Sequence, residues 1–147
     1  MKRHFFLFTA LLFLLSFKLS AQEIEINRLK KHIYFLADDK MNGRATGSKE
    51  LAKSAKYIEK EFKKLKLRPL GTKGYRQVFE AKVRRVIVPD SIRQAENIIG
   101  FLDNEAPYTI VVGAHYDHLG HGDFGGTRDT SHIGHIHNGA DDNASGV

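Results

Sequence analysis

The sequence predicts an α/β architecture, with helices packed on a mixed central sheet. Three observations predict it. Two amphipathic helical stretches come first, at about 22–39 and 49–67. Three strand-like runs follow, at 77–88, 97–102 and 108–114, and small residues from Ala144 then open a fresh helix. Helical patterns followed by strands that lead into another helix suit a layered fold in which helices cover a sheet.

In the first helix Ile26, Leu29, Ile33 and Leu36 recur at helical spacing and form one apolar stripe. His32 lies beside that stripe and reads as an ordinary surface or half-buried residue. Met41 to Ser48 is a loop by its glycines and polar residues, and Ser48 is placed to cap the second helix. That helix carries Leu51, Ala55, Ile58, Phe62 and Leu65 on one face, with Lys53, Lys56, Lys60, Lys63, Lys64 and Lys66 around the rest. A lysine run of this kind suits an anionic partner or a solvated face, and the solvated face is preferred. Pro69 and Gly71 end the helix. Strand 77–88 then alternates Phe79, Ala81 and Val83 with Glu80, Lys82 and Arg84, and Pro89 stops it. The polar segment 103–107 separates the next two runs. The run 108–114 is apolar on both faces, as a central covered strand would be.

The N-terminus reads as a removable leader. Lys2 and Arg3 precede the apolar run Phe5 to Phe17, and Lys18-Leu19-Ser20-Ala21 offers a small residue before a cut. This predicts a signal peptide over 1–21 and a mature chain over 22–147, periplasmic or secreted. The apolar run is shorter than the ~20 residues a membrane span needs, so no stable span is expected after cleavage. The formal charge is +6. Removing Lys2, Arg3 and Lys18 leaves 20 basic against 17 acidic residues, and +3 carries no nucleic-acid footprint. There is no Cys, so neither disulfides nor a lipidated cysteine are available.

The chemistry-bearing residues lie at the C-terminal end. His115 and Asp117 stand two apart at the end of the run 108–114, so both side chains can point the same way. An Asp there can hydrogen-bond the imidazole nitrogen that does not face a metal, or simply hold a surface histidine. Asp142 follows in GADDNASG, among small residues that let backbone pack close. Its carboxylate can bridge two cations, while Asp141-Asp142-Asn143 can equally cap the turn that follows. The reading requires the His115 ring and the Asp142 side chain to face one common point. The segment 118–137 adds His118, His121, His132, His135 and His137 among five glycines. Each of these histidines singly reads as part of a surface insertion. The loop as a whole reads as a pocket wall or a source of casual metal affinity.

VVGAHYDHLG (Val111 to Gly120) and HNGADDNASG (His137 to Gly146) together resemble the secreted zinc-dependent aminopeptidases of clan MH, relatives of bacterial leucyl aminopeptidases, glutamate carboxypeptidase and glutaminyl cyclase. LADDKMNGRATGS (Leu36 to Ser48), KYIEKEFKKLKLRPLG (Lys56 to Gly71), YRQVF (Tyr75 to Phe79) and ENIIGFL (Glu96 to Leu102) resemble the same family more loosely. The resemblance implies the zinc-exopeptidase, phosphorylase/hydrolase-like fold and hydrolysis of a peptide substrate at a centre of two Zn2+ ions. It implies that His115 is a metal ligand, that Asp117 is the catalytic residue orienting His115, and that Asp142 is the bridging ligand with a cis peptide after it. Asp141 is implied to be no ligand. A carboxypeptidase, a glutaminyl cyclase or a non-catalytic member of the fold shares these motifs. The family pattern continues with a Glu-Glu pair, a further acidic ligand and a second His. These have no counterpart before Val147, so the 147 residues are expected to be an N-terminal portion, inactive and poorly soluble alone.

Overall fold

The structure is a computed structural model that describes residues 25–84, 91–123 and 130–147. The predicted signal peptide, the end of the strand predicted over 77–88 and part of the His-rich segment lie outside the described residues. Helix α1 spans Ile26–Leu36 and helix α2 spans Lys49–Lys64. Strand β1 is Arg68–Pro69, β2 is Arg76–Val83, β3 is Ser91–Ile98 and β4 is Gly100–Phe101. Two 3-10 pieces joined at a kink through Asn42 and Gly43 occupy Asp39–Arg44, and single 3-10 turns occupy Thr130–His132 and Ala144–Gly146.

The helices form for the reasons the sequence offers. Ser48 caps α2, its Oγ accepting from the Leu51 amide at 3.0 Å. Leu51, Ala55 and Ile58 are buried on one face of α2, and the lysine-bearing face is solvated, with the exposed Lys63 and Lys64 pairing with Glu59 and Glu61. In α1 only the C-terminal end of the apolar stripe is covered. Leu36 is fully buried, while Ile26 and Leu29 are exposed. Burial of Leu36 stabilises by about 1.5–3 kcal/mol. Phe35 and Tyr57 stack across the helices at 4.0 Å, and the Tyr57 hydroxyl meets His32 Nδ1 at 2.6 Å. His32 thus has a structural partner, as a half-buried histidine should.

Strands β2 and β3 pair antiparallel from Arg76↔Ile98 to Val83↔Ser91, and β1 pairs with β4. Helices and small antiparallel sheets are therefore present, and the single parallel pairing among the described residues is the bridge between Ala45 and His118. Two sequence expectations are corrected. The strand expected over 97–102 begins earlier, at Ser91, because the polar residues Arg93, Gln94 and Glu96 pair opposite β2. The run 108–114 forms no strand among the described residues, and Ile110, Val111 and Val112 are 88–91% exposed. An apolar pattern supplies a strand's side chains but not the backbone partner that makes it a strand. The mixed central sheet is accordingly not assembled among the described residues.

An ionic chain ties α2 to both long strands. Glu59 accepts from Lys63 Nζ at 2.6 Å and from Arg76 Nε at 2.9 Å, and Arg76 also pairs with Glu96 at 2.7 Å. The Lys63 and Arg76 hydrogen bonds hold the Glu59 carboxyl below its usual range. A depressed carboxyl contributes stability that is present above its unfolded pKa, about 4.3, and is lost as pH falls through the folded value. Thermal melts are therefore expected to show falling Tm below about pH 4.3, and Glu59→Gln should remove part of that slope. An unchanged slope in the variant would assign the acid loss to other carboxyls.

Candidate metal centre

The site is assembled where three segments cross, the turn 39–48, the first motif at 115–120 and the second at 137–144. Gly43 makes the crossing possible. It has φ +63°, and a Cβ there would stand 2.4 Å from the Gly120 carbonyl oxygen and 2.5 Å from that of His137. Both the left-handed backbone and the closeness of two carbonyls demand glycine. Backbone hydrogen bonds then lace the segments together. The His118 amide donates to the Arg44 carbonyl at 3.1 Å, Gly120 to Gly43 at 3.0 Å, and His137 to Gly120 at 2.9 Å. Asn138 adds its side-chain amide, which donates to the Ala37 carbonyl at 2.8 Å and to Asp39 Oδ1 at 2.7 Å.

This crossing brings the sequence-predicted residues together. His115 Nε2 lies 3.0 Å from Asp142 Oδ1. The other carboxylate oxygen, Asp142 Oδ2, lies 3.6 Å from His118 Nδ1. One carboxylate thus presents each of its oxygens to a different imidazole. The Asp142–Asn143 peptide is cis, as the resemblance implies. Asn143 precedes the turn Ala144–Gly146 and makes no side-chain capping bond to it.

Asp117 is held differently from the expectation. His115 Nδ1 lies 3.1 Å from the Asp117 backbone carbonyl and 3.4 Å from its Oδ1. The carbonyl is the closer partner, so the backbone of Asp117 orients the ring at least as much as its carboxylate does. The carboxylate is occupied elsewhere, since the Thr46 hydroxyl donates to Asp117 Oδ2 at 2.7 Å. Both Asp117 groups are acceptors, so His115 Nδ1 donates to them, and Nε2 is the ring nitrogen turned toward Asp142. A nitrogen lone pair facing a carboxylate oxygen at 3.0 Å needs a proton or a cation between them.

The donor pair fits a cation. Two ligands of one tetrahedral zinc, each about 2.1 Å from it, stand roughly 3.4 Å apart. The observed 3.0 Å is shorter than that spacing and equals a direct N–H···O contact, so a cation would enter by parting the pair slightly, and both side chains are solvent-accessible. Among the described residues no group of three or more His, Asp or Glu side chains converges on a metal position, so these donors form a pair rather than a full shell. His118, Thr46 and Arg44 were not singled out by sequence pattern. His118 is only 11% exposed and belongs with the site rather than with the loop histidines. Burial pushes its imidazole below its usual range while Asp142 pulls the other way. Its one sequence signal is position, three residues from His115 within the same motif. Of the remaining histidines, His121 lies against the Gly134 carbonyl, while His137 meets the His132 carbonyl with its ring 6.4 Å from that of His118. A neighbouring cleft of about 460 Å³, lined by residues including Ala45, Glu50, Gly120 and Asp123, opens beside the crossing.

The arrangement is a carboxylate with an imidazole near each oxygen, on motifs carried to one point by a glycine-rich crossing. Residues 97–147, the segment that contains both motifs, match the model of peptidase family M28. The match covers about a third of the chain, and over that segment the chain is similar to a peptidase family. No curated protein matches the chain. No solved structure matches it either.

Proposed function

We propose that this protein is a zinc-dependent exopeptidase of the aminopeptidase type, acting on the N-termini of extracytoplasmic peptides, with the zinc-exopeptidase fold around its site. The observation that carries the proposal is the 3.0 Å approach of His115 Nε2 to Asp142 Oδ1. His115 and Asp142 would hold one cation, and the second Asp142 oxygen would reach the other. Bound zinc supplies Lewis acidity that brings the pKa of water from 15.7 to about 7. The chain's own contribution is positional. Asp117 keeps the His115 proton on Nδ1, and Thr46 keeps Asp117 in place. Asp142 would supply one carboxylate oxygen to each cation. The leader-like residues 1–21 support export, and the similarity of residues 97–147 to a peptidase family supports a peptide as the partner.

Product analysis with the full-length protein tests the type of exopeptidase. Peptides with free N-termini are expected to lose one residue from that end, and N-acetylated versions should resist. Cleavage of acetylated peptides from the C-terminus would replace this reading with a carboxypeptidase. Cyclisation of N-terminal glutamine without chain cleavage would replace it with a cyclase.

A further inference from the structure

We propose that Arg44 is the positioning residue that holds the two motifs at the spacing the metal pair requires. Arg44 is fully buried, at 0% exposure. Its guanidinium makes four hydrogen bonds, all to backbone carbonyls. Nε donates to Tyr116 at 2.9 Å, in the first motif. One terminal nitrogen donates to Asn138 at 2.6 Å and also to Leu36 at the end of α1. The other donates to Gly139 at 2.9 Å. Tyr116 adjoins His115, and Asn138 and Gly139 stand a few residues before Asp142, so one rigid planar group spans both motifs.

The choice of residue type follows. Four carbonyls in three directions need a planar fork with five donors, which arginine has and lysine lacks. Burial lowers the guanidinium's pKa, while the nearby Asp117 and Asp142 carboxylates raise it. Its hydrogen bonds go to backbone carbonyls, so the guanidinium holds the peptide segments and leaves the Asp142 carboxylate to the imidazoles and a cation. The backbone of the same residue contributes as well, because the Arg44 carbonyl accepts from the His118 amide at 3.1 Å. Arg44 touches no substrate or cation in this arrangement. It acts through the two peptide segments it holds.

This inference rests on the metal-site reading above, and the test separates the two. Arg44→Lys keeps charge and length, and Arg44→Ala removes the group. In Arg44→Lys, amide hydrogen exchange at His118, Gly120 and His137 is expected to quicken about tenfold or more relative to Ala55 and Ile58 inside α2, and zinc affinity by equilibrium dialysis to fall about tenfold, as for loss of an outer-shell partner. Guanidinium ion at millimolar concentration should restore both readouts in Arg44→Ala but not in Arg44→Lys, whose side chain fills the space. If Arg44→Ala does not fold, the Lys variant alone decides. Wild-type exchange or wild-type zinc affinity in Arg44→Lys overturns the inference. A wild-type protein that takes up no zinc sinks the metal reading, and the clamp is then judged on exchange alone.

Discussion

Asp142→Asn is expected to lower zinc affinity by more than about 100-fold, and His115→Ala to do the same, with the fold intact in both. Loss of a group that merely orients a ligand already costs about 10–100-fold, so loss of a ligand costs more. The Asn amide keeps the shape of Asp142 but removes the charge and turns one acceptor oxygen into a donor. Both side chains are more than half exposed, so neither substitution opens a cavity. Far-UV circular dichroism and the melting temperature should therefore stay near wild type while dialysis reports the loss. Unchanged zinc uptake in His115→Ala would point to the histidines at 121, 132, 135 and 137 as the metal-binding groups. That result would also make the 3.0 Å contact an ordinary imidazole–carboxylate hydrogen bond rather than a place for a cation.

Gly43→Ala should be the most damaging single methyl addition in the described chain. Its Cβ would stand 2.4 Å from the Gly120 carbonyl oxygen and 2.9 Å from the Gly120 Cα, all backbone atoms that no rotamer change can relieve. The φ of +63° adds a left-handed penalty of about 1–2 kcal/mol for any other residue. Overpacking adds about 1–3 kcal/mol, so a loss of roughly 2–5 kcal/mol is expected. A domain with about 5–15 kcal/mol of stability would lose a large share of it. Because Gly43 touches both Gly120 and His137, zinc affinity should fall along with Tm. Gly74, also at positive φ but with nothing near its missing side chain, is the control. Its Ala variant should lose only the backbone part, about 1–2 kcal/mol, with zinc affinity unmoved. Equal losses at the two positions would show that the crossing of segments adds nothing.

The difference between these glycines shows what a linear reading can reach. Gly43 and Gly74 both sit in polar, turn-forming sequence, and each reads simply as a loop glycine. The demand on Gly43 comes from residues far along the chain, Gly120 and His137. Ser48 was legible as a cap because its partner, the Leu51 amide, is three residues away. The stripe of α2 was legible because helical periodicity sorts Leu51, Ala55 and Ile58 without outside help. The run 108–114 misled for the opposite reason, since its hydropathy states a preference for burial that only another strand or helix could meet.

The sequence by itself determined the two helices, the cap at Ser48, the pairing of His115 with Asp142 as candidate ligands and the resemblance of the last third of the chain to metallopeptidases. These depend on local spacing and on residue chemistry, which survive in one dimension. Only the tertiary structure decided that His118 faces the second oxygen of Asp142, that Thr46 occupies the Asp117 carboxylate and that Arg44 bridges both motifs. Those contacts join residues up to 95 positions apart in sequence. A hydrogen bond depends on distance and angle in space, and neither is written in the order of residues.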